Sequence, residues 1–384
     1  MPRDFRNLSR QVAIIGAAEC DEIGVVPNKS SMQLLIEAAW NALDDAGVSK
    51  DEVDGLLSTT STLQIAEYMG IKEPKFTDTT SVGGSSYLIQ VGHAAAAIAS
   101  GLCEMAVVFH GASGRSRVGQ AAGGEGGGGP SDQFYGWHGA IGAPSAYSLA
   151  ANRHMHQYGT THDDLAEIAV ATRKWAQLNP KAMMQDPMTF EDYHNSRWVA
   201  YPFHLLDCCL VTDAAGAVVV TSAERARNYK KKPIYVLGFG ESHTHGNMGQ
   251  MPDLTWTCAR FSSQRAREMS GVDLKDLDVV NLYDSFTYTV GVTLESIGFC
   301  APGEFGQFVK GQRTAPGGDF PLNTNGGGLS YTHPGAYGMF AQIEVVRQLR
   351  GECGARQVPN AKLGLAHGTG GSLSSGGTLI LSNT

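Results

Sequence analysis

The sequence has no CxxC pair, no basic tract and no apolar run long enough to span a membrane. The first absence speaks against a zinc ribbon or a dithiol redox centre. The second, with a net charge of −8, speaks against nucleic acid as a partner. The third leaves only core-sized apolar segments, such as 94–100 and 217–221. Histidines are grouped between 138 and 156, but their spacing matches no standard zinc pattern, and no metal is expected. The cysteines number seven, an odd count with no signal peptide ahead of them, so the expectation is reduced thiols in a cytoplasmic protein. Charged residues are scarce at 17% against 42% hydrophobic, which leaves apolar material for a sizeable interior. A length of 384 residues is long for one core and points to two units.

What the chain has in excess is glycine, 48 residues without collagen's period. They gather in short loops and in one run, Gly123 to Gly129. The stretch that organises the rest is Asn325 to Gly338 (NGGGLSYTHPGAYG). Three successive glycines read as neither helix nor strand but as backbone free to take positive φ near a ligand. His333 follows beside a proline, with Tyr331 and Tyr337 close by. A helix is expected from Gly338 to Leu349, its apolar positions being Phe340, Ile343, Val345, Val346 and Leu349. An ionisable group on a glycine-rich loop at a helix N-terminus suits an anionic ligand.

Along the chain, buried strands are expected at 11–17, 55–58 and 104–110, with helices at 30–46 and 88–99 between them. That alternation is the rhythm of a parallel α/β layer. Residues 115–200 interrupt it with glycine, then aromatic and histidine residues including Phe134, Tyr135, Trp137, His138, Tyr147, His154, His156 and Tyr158. We read this segment as an inserted lid, with helices at 143–158 and 161–179. A strand at 213–221 and a short helix close the first half. The pattern then restarts: strand 233–238, helix 253–269, strand 278–282, helix 285–298, and closing strands 362–367 and 376–382. The closing strands Gly216-Ala-Val-Val-Val-Thr and Gly377-Thr-Leu-Ile-Leu-Ser hold matching places, so residues 1–225 and 226–384 read as two similar halves.

Four loops then line up with a known family. Thr212 to Val220 (TDAAGAVVV), Tyr283-Asp284-Ser285-Phe286, Asn325 to Gly338 and His367-Gly-Thr-Gly-Gly371 occur in the order found in the thiolase superfamily. The chain most resembles the branch of sterol-carrier-protein and lipid-transfer-type thiolases. The resemblance implies an α/β fold of two duplicated βαβαβαββ halves, layered α/β/α/β/α, and a coenzyme A thioester substrate. It also implies a homodimer. His333 falls on the family's catalytic histidine. The chain departs from the family at the nucleophilic cysteine: within Thr79 to Ser86 (TTSVGGSS), Val82 holds that position. Valine has no lone pair with which to attack a carbonyl. Ser81, Ser85 or Ser86 could substitute, although serines at a helix start usually serve as caps. Cys103 and Cys208-Cys209 read as core thiols.

Without the sulfur, the candidate catalytic groups are Tyr283, Asp284, Tyr331, His333, Tyr337 and His367, with backbone donors at Gly83, Gly84, Gly370 and Gly371. Such a set can take a proton from a β-hydroxyl and stabilise a thioester enolate, a retro-aldol cleavage of a 3-hydroxyacyl-CoA that needs no acyl-enzyme. Tyr283 or a loop tyrosine would be the base; His333 and His367 would hold the thioester oxygen or return the proton. Some relatives in this branch are aldolases for steroid side-chain thioesters that work with a small OB-fold and zinc-ribbon protein, so the resemblance suggests a similar partner. No cofactor bound by the chain is expected. Coenzyme A would lie along the lid and residues 253–267. The competing readings are a thiolase-type acyltransferase with a serine or relocated nucleophile, and a non-catalytic acyl-CoA or lipid-binding subunit.

Overall fold

The computed structural model describes residues 5–119, 136–139 and 142–384. The glycine run 123–129, Phe134 and Tyr135 lie outside the described residues. The first strand, β1 (Val12–Glu19), is buried along its whole length, as its unbroken small and β-branched run requires. Helix α1 (Ser31–Ala46) starts at a capping box of Ser30 with Gln33 and stops at Gly47, which is left-handed at φ 70. Its Leu34, Leu35, Ala38, Ala39, Ala42, Leu43 and Ala46 are buried at helical spacing.

Then come β2 (Gly55–Ser58), α2 (Thr62–Met69), β3 (Phe76–Asp78), α3 (Ser86–Ala99) and β4 (Met105–Ser113). Residues 142–204 supply α4 (Gly142–Tyr158), α5 (His162–Gln177), α6 (Phe190–Asn195) and a small hairpin of β5 (Trp198–Ala200) and β6 (Phe203–His204). β7 (Asp213–Ser222) and the short α7 (Ala223–Ala226) follow. The second half runs β8 (Ile234–His243), α8 (Ala259–Ser270), β9 (Val279–Leu282), α9 (Thr287–Ile297), α10 (Phe305–Val309), α11 (Gly338–Arg350), β10 (Leu363–Gly370) and β11 (Ser375–Ser382). Residues 253–258, expected as helix, are not helical; α8 starts at Ala259.

The strands hydrogen-bond in the order β3-β2-β4-β7-β1-β8-β11-β10-β9. β2 is parallel to β3 and β4, as β9 is to β10, while β7 and β11 run antiparallel to their neighbours. β1, β2, β4 and β7 therefore correspond to β8, β9, β10 and β11. The isolated parallel bridge Val280–Leu322 stands where β3 stands in the first half. The halves meet where β1 pairs with β8, Ala13 opposite Tyr235 and Ile14 opposite Ile234.

One pair of glycines carries the duplication at atomic level. A side chain at Gly16 would lie 2.2 Å from the carbonyl of Ala42 in α1, and one at Gly238 would lie 2.0 Å from that of Ala266 in α8. Each half thus lays its outer helix on its first strand through the same missing Cβ. Helix α3 touches β4 and β7 of its own half and β8, β10 and β11 of the other; α11 touches β9 and β10 as well as β1 and β7. These two helices form the middle layer, with α1 and α8 outside, which gives the α/β/α/β/α order.

Candidate active site

The two middle helices begin beside each other. A side chain at Gly338, the first residue of α11, would lie 2.0 Å from the carbonyl oxygen of Gly84, just ahead of α3. Tyr283 reaches this junction from the end of β9, its N–H donating to the His367 carbonyl at 2.9 Å. Its ring lies on Gly84: a Cβ there would meet Tyr283 Cε2 at 2.0 Å. His333 comes from the loop ahead of α11, and its Nε2 is 2.7 Å from the Tyr283 hydroxyl. The two rings meet edge-on, centroids 5.6 Å apart. Tyr337 stands beside them with its centroid 6.0 Å from that of Tyr283.

Burial, reinforced by Cys209 and Tyr147, pushes the Tyr283 phenol well above its ordinary value. Burial lowers the His333 imidazole to about 4, although the residue as a whole is half-buried. Both groups are neutral at pH 7. The short contact joins an uncharged phenol to an uncharged imidazole, a pair set up to exchange a proton.

The glycine-rich stretch differs from its expected open form. Gly327–Tyr331 winds into a π-helical turn. Asp284 holds it by accepting from the N–H of Gly328 at 2.6 Å and of Leu329 at 3.1 Å. Gly327, at φ +61, has Asp284 Oδ2 1.9 Å from where its Cβ would be, so no larger residue fits. Burial raises Asp284 to about 7 against the pull of those two N–H groups. Asp284 therefore shapes the loop that presents His333.

The remaining predicted residues divide. Gly83 faces the β10–β11 hairpin, where a Cβ on it would lie 2.8 Å from the Gly371 nitrogen. Gly370 lies against the carbonyl of Val82. Gly83, Gly370 and Gly371 are thus brought together beside Gly84, on which the Tyr283 ring lies. Tyr331 is not: its hydroxyl donates to Glu19 at 3.0 Å, inside a buried cluster in which Arg347 also grips Glu19. Burial pushes Glu19 up, but Arg347 wins and holds it at about 2. The Tyr331 hydroxyl is thus held at Glu19 rather than at His333. The Tyr337 hydroxyl is spent on Asn325 Oδ1 at 2.6 Å.

His367 also falls away from the pair. Strand alternation aims Gly368 at Leu88 in α3 and turns His367 to the α8 face. There His367 Nδ1 lies 2.9 Å from Thr378 Oγ1, and burial lowers the ring to about 3.

Of the serine alternatives, Ser81 is exposed, whereas Ser85 and Ser86 are engaged elsewhere. Ser85 Oγ is 2.8 Å from Ser375 Oγ. Ser86 Oγ accepts from the N–H of Val82 and donates to the Gly83 carbonyl at 2.7 Å. Of the cysteines, Cys103 is buried as expected, but Cys208 and Cys209 are half-buried. Burial, then Asp284, pushes the Cys209 thiol up, so it is protonated at pH 7.

Three neighbours of the site were not singled out from the sequence as site residues. His110 in β4 has Nε2 3.2 Å from the carbonyl of Pro334, directly after His333. The repeat His110-Gly111 in β4 and His367-Gly368 in β10 is the signal that marks it. Tyr147 of α4 reaches the hairpin tip, as does His245 from the loop after β8. Among the described residues, no group of three His, Cys, Asp or Glu is placed to hold a metal, and no helix is long and apolar enough to cross a membrane.

Comparison with known proteins agrees with the fold. Residues 240–383 match the family described as Thiolase C-terminal domain-like. The chain is 35% identical over 367 residues to 17-hydroxy-3-oxo-4-pregnene-20-carboxyl-CoA lyase of Mycobacterium tuberculosis, covering 90% of this chain and 92% of that protein. It is 35% identical over 363 residues to a steroid side-chain-cleaving aldolase of Thermomonospora curvata, covering 88% and 90%. A solved structure titled Ltp2-ChsH2(DUF35) aldolase superposes with a TM-score of 0.89 at 34% identity, covering 98% of both chains. The chain belongs to the thiolase superfamily, in the branch that holds the sterol-carrier-type thiolases and the steroid side-chain aldolases.

Proposed function

We propose that this protein cleaves the Cα–Cβ bond of a 3-hydroxyacyl-CoA, a steroid side-chain thioester being the substrate class its relatives suggest. The observation that carries the reading is the neutral Tyr283–His333 pair, 2.7 Å apart; Val82, which the family resemblance aligns with the nucleophile position, accords with it. Tyr283 takes the proton of the β-hydroxyl while passing its own to His333 Nε2. The hydroxyl oxygen becomes a carbonyl, the Cα–Cβ bond breaks, and its electron pair moves to the thioester as an enolate. Backbone N–H groups of the hairpin tip hold the enolate oxygen. The proton on His333 returns, through Tyr283, to Cα. The products are a ketone or aldehyde and a shorter acyl-CoA; nothing is oxidised overall and no acyl-enzyme forms.

The solved aldolase structure carries the names of two proteins, Ltp2 and ChsH2(DUF35), and we extend that pairing to a small OB-fold and zinc-ribbon partner here. Two copies would pair along the open edge of β3. A cytoplasmic location belongs to the same reading and rests on the seven unpaired cysteines.

The deciding experiment incubates the purified protein, alone and with a co-expressed partner, with a 3-hydroxyacyl-CoA and follows both products by liquid chromatography. Intact mass is recorded in parallel. Appearance of the ketone or aldehyde with an unshifted protein mass is expected. A covalent acyl adduct, or thiol exchange without cleavage, would return the chain to the acyltransferases.

A further inference from the structure

The chain turns between β10 and β11 through Gly371, Ser372, Leu373 and Ser374, and four successive carbonyls there are each held by a group from outside the hairpin. The Tyr147 hydroxyl donates to Gly371 O at 2.8 Å. His245 Nε2 lies 2.9 Å from Ser372 O. Cys258 Sγ meets Leu373 O at 3.5 Å, and the N–H of Thr244 donates to Ser374 O at 3.0 Å. Gly371 and Leu373 take φ of 58 and 62. Among the described residues nothing accepts from the N–H groups of Gly371 and Ser372. Gly371 is exposed, and its backbone packs beside Gly83. A turn whose carbonyls are pinned outward while its N–H groups stay free is an anion nest.

The pin on Gly371 comes from the inserted region. Tyr147 is 3% exposed, and its ring rests on Phe286 with centroids 4.8 Å apart. Burial pushes its phenol up to about 12, so at pH 7 it is a hydrogen-bond donor. His245 is steadied in turn by Thr244 Oγ1, 2.8 Å from its Nδ1.

We infer that Tyr147 and His245 are positioning residues for the enolate: they hold the hairpin tip so that the N–H groups of Gly371 and Ser372 converge on the thioester oxygen as it becomes negative. The inference rests on the enolate chemistry proposed above. It adds that helix α4, outside the duplicated core, governs how well that charge is stabilised.

The test uses acetoacetyl-CoA, whose bound enolate absorbs in the near ultraviolet, with the full-length protein. Wild type should raise the enolate fraction of the bound ligand. Tyr147→Phe should lower that fraction and kcat by about 10- to 100-fold, with Kd and KM within about threefold, since oxyanion donors act on developing charge. His245→Ala should act in the same direction, and His245→Gln, which keeps a donor, should recover most of the loss. A residue that merely supports the fold would lower Tm without changing the enolate fraction of the folded enzyme. Equal enolate absorbance in wild type, Tyr147→Phe and His245→Ala overturns the inference, as does its absence in wild type. Enolate absorbance that depends on Tyr147, in a protein that cleaves no 3-hydroxyacyl-CoA, upholds the nest and removes the retro-aldolase reading instead.

Discussion

Replacing Tyr283 by phenylalanine separates chemistry from packing at this site. The ring is fixed by its contact with Gly84 and by the edge-on face of His333, so phenylalanine occupies the same space. Only the hydroxyl 2.7 Å from His333 Nε2 is lost. A positioned acid/base group is worth about 10²–10⁴ in rate, or about 2.7–5.5 kcal/mol of barrier. The stability cost is smaller. His333 is half-buried, so water can take the vacated contact, and a net hydrogen bond contributes about 0.5–1.5 kcal/mol. For Tyr283→Phe we therefore expect kcat to fall at least about 100-fold with KM nearly unchanged and Tm lower by only a few degrees. The assay is steady-state release of the shortened acyl-CoA, with active protein checked by circular dichroism and thermal melting. Wild-type kcat in both Tyr283→Phe and His333→Ala would refute the assignment. A raised KM at unchanged kcat would show instead that the phenol binds substrate without handling its proton.

Gly84→Ala should be as damaging as losing the hydroxyl, because its Cβ would sit 2.0 Å from the Tyr283 ring and displace it; kcat of the folded variant reports this. Tyr331→Phe should leave kcat within about twofold and cost about 1 kcal/mol, whereas Arg347→Ala, which strands buried Glu19, should cost about 3–5 kcal/mol in denaturant melts. Acid should destabilise the fold. His110, His333 and His367 are held at about 4, about 4 and about 3 in the folded chain, below their unfolded value, so unfolding takes up protons and stability falls as pH drops from about 6.5 towards 4. Asp284, raised to about 7, works the opposite way by losing stability as pH rises from about 4 to 7, which leaves a net slope approaching about 2.7 kcal/mol per pH unit. Melting curves between pH 6.5 and 5 check it; a flat Tm would contradict the buried neutral histidines.

Much of the architecture was legible because it rests on local patterns. Buried strands such as Val12–Glu19 are continuous apolar runs, and α1 carries both its capping box and its terminating glycine. The matched closing strands mark the two halves in the sequence itself. Elements set by tertiary contact were not legible. β3 has three residues, too few for a pattern, and exists because β2 offers it an edge. Gly327–Tyr331 winds into a π turn only because Asp284, some forty residues earlier, supplies the acceptor. That turn decides which neighbours of His333 face the site, so Tyr331 could not be separated from the site by proximity in sequence. His367 raised the same difficulty: its position in the motif was legible, but the face of β10 it uses was not. Tyr147 and His245 lie far from any motif and become visible only when the hairpin tip is in place.

The chemistry gathers at the seam between the halves for an electrostatic reason. Helices α3 and α11 both start there, with Gly84 and Gly338 in contact, and each N-terminus carries about half a positive charge. Their fields add at the one place where Tyr283, His333 and the hairpin tip also meet. Two such termini in a partly buried setting stabilise an anion by roughly 1–4 kcal/mol together, and by the same sign they oppose an imidazolium. A thioester enolate is the anion this arrangement favours, and a neutral His333 is the acid/base partner it keeps. Neither property depends on the side chain at position 82. Exchanging a nucleophilic sulfur for valine would therefore remove acyl transfer while leaving the field intact. A seam that stabilises enolates without an attacking atom is left with reactions in which the enolate is the leaving group, and cleavage of a β-hydroxy thioester is such a reaction.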